Sequence, residues 1–156
     1  MPAPSSLSEE ELLQSGFRYA YALTHHHHDA EDLVQTAWLK LHQRYSEVKT
    51  KALFFTTIRN LHIDQYRRRK RVWFISLTSE HEHLSASVDT GGENTKVAID
   101  QMLSNLRDIE REALFLHIVE GYSANEIATL TGRPRGTVLS LIHRSKKKLA
   151  ALGAAD

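Results

Sequence analysis

The stretch EGYSANEIATLTGRPRGTVLSLIHRSKKKL, residues 120–149, decides how the chain reads. Ser123 followed three residues later by Glu126 has the pattern of a capping box, in which the serine hydroxyl accepts from a first-turn N–H and the glutamate reaches back. A helix therefore starts there, runs through Ile127, Ala128 and Leu130, and ends at Gly132. Pro134 has its φ already near the helical value, so a second helix can begin two residues past the glycine without strain. At about 100° per residue, Val138, Ile142, Ser145 and Leu149 fall on one face of it, with Leu141 at the margin. The opposite face presents Gly136, Ser140, His143, Arg144 and Lys147, short or cationic groups of the kind that meet phosphates and base edges. Between Arg133 and Lys148 there are six Lys or Arg and no carboxylate. Two helices, a glycine turn and a basic second helix make a helix-turn-helix, and DNA is the partner it implies. Taken alone, Lys146-Lys147-Lys148 reads equally well as a solvated helix end set against the dipole.

The chain of 156 residues is 41% hydrophobic and 25% charged, ordinary composition for a soluble protein of one domain or two small ones. Its net charge of +1 hides an uneven distribution: residues 1–71 hold 11 basic and 8 acidic groups, 72–97 hold 1 and 4, and 98–156 hold 8 and 7. Clustering of positive charge matters more for nucleic acid than its sum. The chain has no cysteine, so it forms no disulfide and uses no thiolate chemistry. It shows neither an apolar run of membrane-spanning length nor a basic-apolar leader, so a soluble, cytoplasmic protein without membrane insertion is expected.

From Ser76 to Thr95 the helical periodicity lapses and Ser, Thr, Gly and acid accumulate, ending in Asp89-Thr90-Gly91-Gly92-Glu93-Asn94. The segment reads as a linker, and both sides of it are helical in pattern. The fold expected is all-α, with two small helical modules: residues 1–72, a linker over 73–97, and 98–156. Each core is small enough that a large partner could reorder the two modules.

The first module reads as three helices, Ser8 to Leu23, Ala30 to Tyr45 and Thr50 to Arg71. In the second, Asp29 is the expected cap, Val34, Trp38, Leu41 and Tyr45 form an apolar stripe, and the face with Asp32, Gln35 and Thr36 is polar and free to meet a partner. The third begins with Phe54, Phe55, Ile58, Leu61 and Ile63 and then changes abruptly to Arg67-Arg68-Arg69-Lys70-Arg71. Five consecutive cations repel one another, whereas a phosphate backbone would reward them through counterion release. The plainer reading is a solvated, nonspecific helix end.

These motifs, in this order, resemble bacterial RNA polymerase sigma factors of the extracytoplasmic-function (ECF) group over nearly the whole chain. Asp29-Ala30-Glu31-Asp32-Leu33-Val34-Gln35 resembles the start of the family's region-two helix, which binds the polymerase clamp. Arg59-Asn60-Leu61 with Asp64 and the arginine run resembles the segment that melts and recognises the −10 element. Glu120 to Ser123, Glu126 to Ala128 and Gly136 to Val138 resemble the region-four helix-turn-helix that reads the −35 element. The resemblance implies that Asp32, Gln35 and Thr36 bind core polymerase. It also implies that Lys49, Lys51, Arg59, Asn60, Arg67, Arg68, Arg69, Lys70 and Arg71 engage the −10 DNA, and that Arg135, Ser140, His143, Arg144 and Lys147 hold the −35 duplex. Core RNA polymerase, promoter DNA and an anti-sigma factor are the partners it implies.

The chain departs from the family where Leu139 and Leu141 occupy positions often filled by arginine, and where Leu53 stands in place of a common tryptophan. Leu139 is expected to pack against the preceding helix rather than meet a thymine methyl. His25 to His28 fall outside the family pattern. A consecutive run between helices lacks the converging geometry of a metal site, so an interhelical loop is expected, with no metal and no cofactor. No glycine-rich phosphate loop or carboxylate–histidine pairing suggests an enzyme. The alternative that the residues leave open is a helix-turn-helix regulator, or a sigma-like protein that does not initiate transcription.

Overall fold

A computed structural model describes residues 7–46, 48, 50–75 and 94–154, and every regular element among them is helical. The order is α1 (Glu9–Thr24), α2 (His27–Arg44), α3 (Lys51–Ile75), α4 (Asn94–Ser104), α5 (Asp108–Leu114), a π-helical turn (Phe115–Val119), α6 (Ala124–Thr131) and α7 (Arg135–Ala154). The all-α class and its division into a three-helix bundle, α1 to α3, and a helix-turn-helix group, α5 to α7, follow the pattern of apolar residues. Helix α3 continues four residues past Arg71, and α4 begins at Asn94, inside the segment read from sequence as linker.

Local chemistry sets most helix starts. Ser8 and Glu11 form a reciprocal capping box at α1, Ser8 N–H donating to the Glu11 carboxylate at 3.1 Å and Glu11 N–H to Ser8 Oγ at 3.2 Å. Helix α2 starts earlier than Ala30, and its cap is His26 rather than Asp29: the imidazole Nδ1 accepts from Asp29 N–H at 3.3 Å. A neutral imidazole presents a lone pair at about the reach of an asparagine oxygen, so histidine can fill this position. His25 closes α1 in the left-handed region, at φ 50° and ψ 33°, its N–H donating to the Tyr21 carbonyl at 2.7 Å. The histidine run is therefore a two-residue corner followed by the first residues of a helix, not a loop.

The α1 to α3 bundle buries Leu12, Tyr19, Leu23, Leu33, Leu41, Phe54, Phe55 and Ile58. Trp38 meets Phe54 edge-on, with ring centroids 5.5 Å apart, while Tyr45 leaves the expected stripe and is exposed because α2 ends at Arg44. Leu53 is half-buried against this core. In the second group Ile127, Val138, Leu141 and Ile142 are buried, so Leu141 is a core residue. The two groups share one apolar cluster: α1 packs on α5, Tyr19 stacks on Phe115 at 6.0 Å, and Phe55 meets Tyr122 at 6.5 Å. Each bundle alone is small, and joining them hides apolar surface that neither can cover by itself.

Candidate nucleic-acid and polymerase interfaces

The helix-turn-helix is built by the contacts its sequence encodes. Ser123 N–H donates to the Glu126 carboxylate at 3.0 Å and Glu126 N–H to Ser123 Oγ at 3.1 Å. The Ser123 backbone donor holds the Glu126 carboxyl below the usual carboxylate range. Gly132 ends α6 at φ 69°, a conformation that a side chain would strain. The Pro134 carbonyl then accepts the first bond of α7, from Val138 N–H at 3.1 Å. Val138, Leu141, Ile142 and Ser145 turn inward, and the Ser145 hydroxyl donates within 3.2 Å of the Glu110 carbonyl. Arg135, Ser140, His143, Arg144 and Lys147 are all exposed on α7. Leu139 joins them: it is 43% exposed rather than packed away as expected, because Val138 and Leu141 already fill the inward face.

On the N-terminal module, Asp32, Gln35 and Thr36 lie exposed along α2, beside an exposed Leu39. Asn60, in the first half of α3, and the run Arg67, Arg68, Arg69, Lys70 and Arg71, in its second half, are exposed, with Arg69 3.6 Å from the Asp29 carboxylate. Lys49 lies outside the described residues. The other two candidates on this side face the second module instead. Lys51 Nζ pairs with Glu120 at 2.8 Å, and Arg59, 13% exposed, donates from Nε to Glu112 at 3.0 Å.

Glu112 is the centre of the contact between the modules. Its side chain is 2% exposed and accepts from Tyr19 Oη at 2.6 Å, Arg59 Nε at 3.0 Å and an Arg133 guanidinium nitrogen at 2.7 Å. Burial, then the carboxylate beside it, push the Tyr19 phenol well above its ordinary range, so it stays a donor. Next to Glu112, Arg111 donates to the carbonyls of Ala22 and Leu106 at 3.0 and 2.7 Å, and Glu110 pairs with Lys148 at 2.7 Å. Glu110, Arg111, Glu112, Tyr19 and Arg133 are not legible as a group in sequence. Their periodicity is that of a surface helix, and the partners of Glu112 lie 21 to 93 residues away. Among the described residues no group of three or more His, Cys, Asp or Glu could hold a metal ion.

Two family models match, Sigma-70 region 2 over residues 10–72 and Sigma-70, region 4 over residues 96–149. The chain is 31% identical over 142 residues to the ECF RNA polymerase sigma factor SigE of Mycolicibacterium smegmatis, covering 85% of this chain and 55% of that one, so it spans about half of that relative's length. It is 27% identical to EcfG of Rhodopseudomonas palustris, covering 97% of this chain and 87% of the relative. It is 25% identical to SigM of Bacillus subtilis, covering 87% and 86%. A solved structure of the sigma factor RpoE from Bartonella quintana, in complex with the anti-sigma factor NepR, superposes with a TM-score of 0.73 at 28% identity over 93% of both chains. With a three-helix bundle and a helix-turn-helix in one all-α chain, each matched by its own Sigma-70 family model, and with ECF sigma factors among its relatives, the chain belongs to the ECF sigma factors of bacterial RNA polymerase.

Proposed function

We propose that this chain binds core RNA polymerase and directs it to promoters, with residues 1–72 as the polymerase-binding and −10 module, 73–97 as the connecting linker and 98–156 as the −35 module. The observation that carries the reading is that one chain presents two exposed basic helical faces, Arg67 to Arg71 on α3 and Arg135 to Lys147 on α7, on two different modules. A duplex with one charge per about 1.7 Å of axis attracts both, and two separate readers suit two separated elements. Asp32, Gln35 and Thr36 supply the polymerase contact. Arg135, Ser140, His143, Arg144 and Lys147 contact the −35 duplex, with Leu139 free to meet a thymine methyl. Asn60 and the arginine run contact the −10 DNA. Polymerase supplies the chemistry.

We further propose an anti-sigma factor as regulator. The similar RpoE chain was solved with one, and that similarity takes in both modules. An apolar groove of about 500 Å³ lies between them here, lined by Phe17, Tyr21, Leu103, Ile118, Val119 and Leu149, with Arg18 and Lys146 beside it. The decisive experiment is reconstitution with core polymerase followed by sequencing of transcript starts. Start sites sharing upstream elements are expected. Tight, specific duplex binding by the free chain with no polymerase binding would make it a regulator instead.

A further inference from the structure

We infer that Glu112 is an intramolecular latch that holds the free chain in a closed form, and that it must release Tyr19 and Arg59 before the two modules can work on a promoter. The carboxylate is held from its own module by Arg133 and grasped from the other by Tyr19 and Arg59, at 2.7, 2.6 and 3.0 Å. A carboxylate 2% exposed is tolerated only when donors meet it, and these donors converge only when α1 and α3 lie against α5 and the α6–α7 turn. Opening therefore rehydrates a charge that the closed form keeps fully paired.

The second half of the inference rests on the sigma-factor reading. Arg59, a candidate −10 contact, and Arg133, in the turn of the −35 reader, share one carboxylate, so they are within a few ångströms of each other. The −10 and −35 elements are about 25 base pairs apart, about 85 Å along B-DNA at about 3.4 Å per pair. The closed chain cannot span them, and Arg59, 13% exposed and turned onto Glu112, is withheld from DNA while the modules are joined. Closure thus lowers the apparent affinity for polymerase and promoter in proportion to the scarcity of the open form.

The chain has no native cysteine, so Glu10→Cys and Ala150→Cys, both at exposed positions on different modules, allow two dyes to report closure in the full-length protein. Glu112→Gln keeps the shape and removes the charge; Tyr19→Phe removes one inter-module donor and leaves the pairing of Glu112 with Arg133 in place. Both are expected to lower energy transfer in the free chain and to tighten core-polymerase binding, Glu112→Gln by about tenfold or more if the latch is the main restraint. Unchanged transfer in both variants, with helical content intact, overturns the latch. If Glu112→Gln loses helicity, Tyr19→Phe decides by the same readout. Reduced transfer in a chain that never binds polymerase, wild type included, upholds the latch and removes the sigma-factor reading.

Discussion

Arg111 reaches from α5 across the module boundary and donates from Nε to the carbonyl of Ala22, 3.0 Å away near the end of α1. The same guanidinium, 6% exposed, donates to the Leu106 carbonyl at 2.7 Å and pairs with Asp108. A planar fork with five donors can serve three acceptors in different directions; an ammonium on a flexible stem cannot hold the same geometry. Arg111→Lys is expected to destabilise the chain by about 2 kcal/mol and Arg111→Met by about 3 kcal/mol, since both leave buried carbonyls unpaired. Urea unfolding followed by circular dichroism measures it, and a change below about 0.5 kcal/mol in both would mean that the guanidinium is incidental to the interface.

His25 lines the same groove as Arg111, feels its charge and gives the interface a pH dependence. Burial, then Arg111, lower its pKa from 6.5, and burial lowers that of His62 on α3 in the same direction. Well above pH 6.5 both imidazoles are neutral in folded and unfolded chains. Below it the unfolded chain takes up protons first, so stability is lost as the pH falls from about 6.5 through the lowered folded values. His25→Asn keeps a residue that tolerates the left-handed backbone and removes the titration. Unfolding free energies measured between pH 5 and 8 are expected to fall towards acid in the wild type and to fall less steeply in His25→Asn, where His62 still titrates. Parallel curves would show that His25 does not contribute.

The helix-turn-helix is legible in sequence because short-range chemistry builds it: Ser123, Glu126 and Gly132 act on neighbours within one turn. The start of α2 is not legible for the converse reason, since aspartate is the commoner cap and nothing local shows that His26 turns its Nδ1 toward Asp29 N–H. Side-chain chemistry alone assigns Leu139 to packing, and only the filled inward face of α7 pushes it out to solvent. Glu110, Arg111 and Glu112 are the least legible, because charged side chains on a helix become interior residues only once distant donors arrive. The positions proposed to bind polymerase and DNA draw on family resemblance, and of these Lys51 and Arg59 make inter-module ion pairs that no motif encodes.

Local chemistry fixes both ends of α6, Ser123 and Glu126 at its start and Gly132 at its close. Ser123→Ala removes one acceptor for a first-turn N–H and is expected to cost about 1 kcal/mol. Gly132→Ala meets no steric neighbour, yet its φ of 69° imposes a strain of about 1 kcal/mol. Together they are expected to lower the thermal midpoint by several degrees, about the sum of the single effects because the two ends of α6 share no partner. Calorimetry of the single and double variants checks this, and a silent Gly132→Ala would mean that the turn relaxes out of the left-handed region.

The exposed faces of α2 and α3 are expected to separate into two steps of initiation. Reversing Arg67 and Arg68 to glutamate removes two phosphate partners and adds two repulsive charges, on a helix face remote from Asp32 and Gln35 in sequence. Promoter opening, read with a fluorescent base in the −10 region, is expected to fall more than polymerase affinity. The slope of binding against salt should also shrink by about 0.9 for each phosphate no longer neutralised on duplex DNA, or about 0.7 on a melted strand. Asp32→Ala with Gln35→Ala should do the reverse, weakening assembly with core polymerase while leaving the opening rate of preassembled complexes near the wild-type value. Among the described side chains of α3, Arg67 and Arg68 lie past its last buried residue, Ile58, and Asp32 and Gln35 face away from Leu33 and Val34, so neither pair supports the core. Equal impairment of both steps in both variants would therefore reflect a wrong assignment of these faces rather than a damaged fold, provided circular dichroism shows the helices intact.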